Sequence, residues 1–221
     1  MDAVAAALTL ASPSAMATPV LLVVHGRAGG VIPSELKTLA AELAERRGAP
    51  VLLQALTAEL PAALPQSLAV GRPPVLVPLM LLPGGHVRHD IPAMARHWGA
   101  LAGVAVLRRL PFVGAWPAWQ QALAAEVALL PAPALLHHPL EGALGQRFLA
   151  HLAQLSGARL LATPYSAEHL AALALSLTAP ALPLALAANR LTDLLADRVG
   201  PPLLQRERFR QVVLERLEAL P

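Results

Sequence analysis

The chain has no cysteine. That excludes disulfides, thiolate metal centres and a cysteine nucleophile. A metal could be held only by imidazole, carboxylate, amide or water, and imidazole suits cobalt, nickel, iron or zinc. Aromatic residues make up 3% and charged residues 14%, and the positive charge is almost entirely arginine. With no basic run and few rings to stack on bases, nucleic acid is not an expected partner. A formal net charge of +3 fits an anionic small molecule better. No stretch of about 18 apolar residues is free of Pro, Gly and charge, so no membrane span is expected.

What is present is apolar bulk. Hydrophobic residues are 56% of a 221-residue chain, enough to bury a core in one large domain or two small ones. Residues 1–17 have an apolar middle but no positive start, with Asp2 the only early charge. They read as a disordered leader, not a signal peptide, and the expected compartment is the cytoplasm.

Strand and helix patterns then alternate. "PVLLVVHG" (19–26) is a buried parallel strand ending at Gly. Residues 34–48 form an amphipathic helix that Ser34 can cap, with Leu36, Leu39, Ala40 and Leu43 as its apolar stripe and Gly48 as its stop. Further strands are expected at 49–56, 73–82 and 104–110, and helices at 59–71 and 89–101. This order implies a parallel sheet with helices on both faces. The second half repeats the layout: strands at 132–142 and 158–166, a third within 179–197, helices between them, and an amphipathic closing helix at 206–220. In register, His25 falls on His138, and "GGHVRHDI" falls on "AANRLTDL", which pairs His86 with Asn189 and Asp90 with Asp193. A diverged duplication follows.

Ligands of open α/β sheets bind beyond the carboxyl ends of the strands. His25 ends the first strand and His86 lies just past the third, so both imidazoles can face one cleft. The Pro-Gly-Gly break before His86 allows a tight turn there. His89 falls on the next turn, either as a ligand or solvated. Asp90 reads as a first-turn carboxylate favoured by the helix dipole, and His97 as an exposed helix residue. "GRAGG" is a poor phosphate cradle, because its spacing matches neither nucleotide-binding motif.

"LLVVHGRAGG" and "VPLMLLPGGHVRHDIP" together resemble the sirohydrochlorin chelatases, the small class II tetrapyrrole chelatases. The second motif is nearly complete from Pro78 to Pro92; in the first, Arg27 stands where the family usually has Ser. The resemblance covers residues 18–115 well and the rest in layout only, as in the family's two-domain long forms. It implies two tandem flavodoxin-like lobes, 18–115 with the metal site and a diverged 116–221. It implies insertion of a divalent metal, cobalt or iron with nickel as a further option, into sirohydrochlorin on the way to cobalamin or sirohaem. The metal is a substrate, and no organic cofactor is expected. His25 and His86 would bind the metal and assist deprotonation. His89 could add a third ligand. Arg27, Arg88, Arg72 and His138 are candidates for the tetrapyrrole. Many relatives carry an acid where Thr57 stands; Glu59 could replace it or be an ordinary surface residue. Loss of that acid keeps a second reading open, a tetrapyrrole or metal carrier on the same fold. A chain that already holds two lobes is expected to act as a monomer.

Overall fold

The computed structural model describes residues 17–68, 71–164 and 166–221. All of the expected leader except Ala17 lies outside them. Two three-stranded parallel sheets form the framework, in strand orders β2-β1-β3 and β5-β4-β6. In the first are β1 (Val20–Val24), β2 (Val51–Ala55) and β3 (Val75–Pro78). Helix α1 (Ser34–Arg47) joins β1 to β2, and α2 (Ile91–Leu101) follows β3. Next comes α3 (Pro117–Val127), then β4 (Ala134–His137), α4 (Gly142–Ser156), β5 (Arg159–Ala162), α5 (Ala167–Ser176) and β6 (Leu182–Pro183). Two short helices, α6 (Arg190–Leu194) and α7 (Ala196–Val199), precede the closing α8 (Glu207–Glu218).

β1 is buried along its whole length because it is central and covered on both faces. Val20, Leu22 and Val24 face one core with α1; Leu21 and Val23 face another with Ile91, Met94, Ala95 and Trp98 of α2. The alternation follows from the strand's period of two. The first core is shared between the halves, since it also takes in Leu135 of β4 and Leu152 of α4. There Trp119 of α3 and Phe209 of α8 pack with ring centroids 4.8 Å apart. Each such fully buried side chain contributes roughly 1.5–3 kcal/mol. α8 packs on both α1 and α3, and α3 packs on α4. Arg47 fixes the end of α8 by donating to the carbonyls of Leu217 and Leu220 and to Thr18 O. No helix among the described residues is long and apolar enough to cross a membrane.

The repeat is visible in the hydrogen bonding. Val23 pairs with Pro78 in the first sheet, and Leu136 pairs with Pro183 in the second. Leu79 N–H donates to Val23 O at 2.8 Å, and Leu184 N–H donates to Leu136 O at the same distance. Leu56 N–H to Val24 O is matched by Thr163 N–H to His137 O, both at 2.9 Å. This register places His138 on His25, as the sequence alignment of the halves does.

Four local expectations change. Among the described residues of 59–71 the expected helix is replaced by the single helical turn Gln66–Leu68, since Pro61 and Pro65 lack amide donors. Residues 104–110 form a single bridge, Leu76 to Arg109, instead of a strand. Their first part is bonded to α2, through Val104 N–H to Gly99 O and Leu107 N–H to Ala95 O. Ser34 is the first helical residue and does not cap α1, whose N-cap position is Pro33. α3 adds a helix to those expected, with Trp119, Ala122, Leu123 and Val127 at helical spacing and all buried.

Candidate metal-binding site

In the order β2-β1-β3, the chain crosses from β1 to one side and then returns to the other. The switch point, where ligands of such sheets bind, therefore lies between the ends of β1 and β3. His25 is the first residue after β1 and is exposed. Gly26 turns the chain away at φ 76°, which only glycine adopts readily. A side chain on Gly26 would also lie 2.7 Å from both Ala55 Cβ and Thr57 Oγ1. Thr57 closes the turn by donating its hydroxyl to Arg27 O at 2.7 Å. The N–H of Arg27 and of Gly30 bond within the loop, to Val31 O and Arg27 O, and so do not cradle a phosphate.

On the other side, the chain leaves β3 through Pro83-Gly84-Gly85 into one turn of π-helix, His86–Asp90, with Ile91 N–H donating to His86 O. Such turns favour functional positions because they alter which side chains line up. Here His86 Nδ1 meets Asp90 Oδ2 at 2.6 Å. Asp90 is thus bound to an imidazole and is not simply a carboxylate at the helix start.

The two imidazoles come together. Their ring centroids are 4.9 Å apart and the planes stand at 74°, edge to face. His25 Nδ1 lies 2.8 Å from Gly26 O, an acceptor only, so Nδ1 carries the proton. Asp90 fixes the same tautomer on His86. Both rings therefore keep Nε2 as the atom with a lone pair, the state in which neutral histidine ligates metals. The carboxylate behind His86 is the usual support for a ligating imidazole. About half of each side chain of the His86–Asp90 pair is exposed, so the pair contributes roughly 1 kcal/mol or less to stability.

Among the described residues, no three His, Asp or Glu side chains gather closely enough to hold a metal ion. His89 is exposed on the same turn as His86, and Glu59 is exposed in the loop after β2; neither makes the pair a triad. Arg88 and Arg72 are exposed. Arg27 is engaged across the molecule: its Nη2 donates to Asp193 Oδ2 and Ala188 O, both at 3.1 Å. In the second half, His138 is exposed after β4 with Nδ1 3.1 Å from Pro139 O, and His137 is buried with Nδ1 2.9 Å from His138 O. Asn189, on His86's place in the repeat, caps α6 in a reciprocal capping box with Thr192. His97 is half-buried instead of exposed and holds Pro61 O at 2.8 Å through Nε2.

These features define a duplicated α/β protein with an open pair of imidazoles at the switch point of its first sheet. A model of the CbiX family matches residues 19–129, half of the chain and all of the elements that carry the pair. The chain belongs to that family, the sirohydrochlorin chelatases whose motifs it resembles. Two solved structures share the fold over 91% of this chain and 94% of theirs. One is SirB from Bacillus subtilis with Fe3+, at 15% identity and a TM-score of 0.61. The other is the sirohydrochlorin chelatase SirB from Bacillus subtilis subspecies spizizenii in complex with cobalt, at 16% identity and a TM-score of 0.60. No curated protein matches the chain in sequence.

Proposed function

We propose that this chain inserts a divalent metal, cobalt or iron, into sirohydrochlorin, on a route to cobalamin or sirohaem. The observation that carries the reading is the His25–His86 pair: two rings 4.9 Å apart, each held at Nδ1 so that Nε2 is the ligating atom. Family membership and the metals named for the two SirB structures support it.

Two imidazoles alone suit a metal that must leave again. They bind a borderline divalent ion moderately, and water completes its coordination. As the ring nitrogens of the tetrapyrrole replace the water, two pyrrole N–H protons must depart for the metal to enter. Each Nε2 that gives up the metal regains a lone pair and can take one of those protons. Asp90 stabilises the imidazolium so formed on His86, and water removes the protons. The exchange balances: one doubly charged ion in, two protons out. His89, on the same turn as His86, and Glu59, two residues past Thr57, are the candidates for an additional ligand or base on substrate binding, and Arg27, Arg88 and His138 are the candidates for substrate carboxylates. In this reading residues 18–115 form the metal-bearing lobe and 116–221 the opposing wall, within one cytoplasmic monomer. The packing of α3 on α4 and α8 favours that boundary.

Thr57 favours the competing carrier reading. It occupies the acid's position and spends its hydroxyl on Arg27 O, leaving the site without that base. The test is anaerobic mixing with sirohydrochlorin and cobalt(II), iron(II) or nickel(II), followed by absorbance. Metallation faster than the protein-free background, lost in His25→Ala and in His86→Ala, establishes the chelatase. Binding without acceleration establishes the carrier. Neither binding nor acceleration defeats both.

A further inference from the structure

The two halves meet at the carboxyl edges of their sheets in two places that the repeat relates. On one side Leu140, two residues past His138, reaches Gly84, where an added Cβ would lie 3.6 Å from Leu140 Cδ2. On the other side Arg27, two residues past His25, reaches Ala188 O. Arg27 and Leu140 hold equivalent places, and Gly84 and Ala188 are equivalent to within one residue. The first contact is a small apolar touch. The second has become ionic, because Arg27 also pairs with Asp193.

Asp193 is the counterpart of Asp90. In the first half Asp90 holds His86. In the second half the histidine is replaced by Asn189, whose side chain is used in capping α6, and Asp193 is left for another partner. Arg27 supplies it. The ion pair is open to solvent, with both side chains 47% exposed, so it is easily exchanged. The groove beside it, about 460 Å3 in volume, is lined by Arg27 and by Lys37, the single lysine of the chain. Nη2 is the only nitrogen of Arg27 with a described acceptor, which leaves Nε and Nη1 as donors with none among the described residues.

Resting on the reading above, we infer that Asp193 is a specificity-determining stand-in for a substrate carboxylate. It holds Arg27, two residues past His25, until substrate arrives and yields it to a carboxylate arm of the tetrapyrrole on binding. The bound molecule is therefore selected as a polycarboxylate, and Asp193 sets how much affinity that selection delivers, without touching the metal.

The experiment compares wild type with Asp193→Asn, Arg27→Ser and the double variant, measuring tetrapyrrole binding by fluorescence, KM and kcat separately, and cobalt(II) affinity of the protein alone. Removing the competing ion pair should tighten sirohydrochlorin binding and lower KM about twofold to fivefold in Asp193→Asn, the range of one exposed pair. Arg27→Ser should weaken both by about tenfold or more, as expected for a lost charge-assisted bond. The double variant should match Arg27→Ser, and in Asp193→Asn both kcat and cobalt(II) affinity should hold. With the methyl-esterified tetrapyrrole the gain in Asp193→Asn should vanish. If wild type binds and metallates sirohydrochlorin but Asp193→Asn leaves KM unchanged or raises it, the inference is wrong and the chelatase reading survives. If wild type does not bind the tetrapyrrole at all, both fall.

Discussion

His25 and His86 stand edge to face at 4.9 Å, although one follows the central strand of the sheet and the other begins a π-turn beyond its neighbour. Neither ring is needed for the core, because both are exposed. Replacing either with alanine should therefore leave the melting temperature nearly unchanged, as for most exposed substitutions. Cobalt(II) affinity should fall at least about tenfold in each single variant, and the double variant should be little worse than either, since one remaining imidazole is no longer a chelating pair. Titration calorimetry with cobalt(II) measures this directly. Full affinity in a single variant would place the metal elsewhere.

Asp90 touches His86, and in the proposed reading it would act on the metal only through that ring. The loss expected for such a supporting carboxylate is about 10-fold to 100-fold in metal affinity, so Asp90→Asn should weaken cobalt(II) binding by that much and Asp90→Glu should recover part of it. The optical spectrum of bound cobalt(II) should shift in Asp90→Asn as His86 loses its anchored orientation. An unchanged affinity and spectrum would reduce Asp90 to a surface residue.

Thr57 and Gly26 hold the loop that carries His25. Thr57→Val keeps the shape but leaves Arg27 O without its donor, at a cost of about 1 kcal/mol, and should lower cobalt(II) affinity, with Thr57→Ser restoring both. Gly26→Ala forces a side chain into a positive-φ position and against Thr57. That should destabilise by about 1–3 kcal/mol from the backbone alone, with more from the clash. Urea denaturation read beside cobalt(II) titration separates the two effects.

How much of this could be read from the sequence depends on the range of the interaction. β1 and α1 were legible because their signals are local: an unbroken apolar run, a stripe at Leu36, Leu39, Ala40 and Leu43, and a glycine stop at Gly48 in the left-handed region. The positions of His25 and His86 followed from strand ends and the rule that parallel strands share an edge. Residues 104–110 misled because an apolar, β-branched segment can bond to a helix end as well as to a sheet, and the local pattern does not say which. Asp90 does stand at the start of α2, but its bond to His86 depends on side-chain conformations that the spacing alone does not reveal. The Arg27–Asp193 pair joins residues 166 positions apart, and only the meeting of the two sheet edges reveals it.

Glu35 ties the same two edges together and makes their union sensitive to acid. Burial raises its pKa, but hydrogen bonds from its own backbone N–H, Gln205, Ala188 N–H and Ser34 outweigh that and hold it below the usual carboxylate range. Because the folded pKa is lower than the unfolded one, Glu35 stabilises the fold fully above the unfolded value. That contribution is lost as the pH falls through the folded value. Glu35→Gln cannot show this dependence. The difference in urea midpoint between wild type and Glu35→Gln should therefore be largest near neutral pH and shrink steadily below about pH 4, where ordinary glutamates take up protons. Since Glu35 Oε1 accepts from both Ala188 and Gln205, Gln205→Ala should reduce the neutral-pH advantage and leave its sign unchanged. A midpoint difference that stays constant from neutral to acid pH would show that the contact between the lobes does not depend on the charge of Glu35.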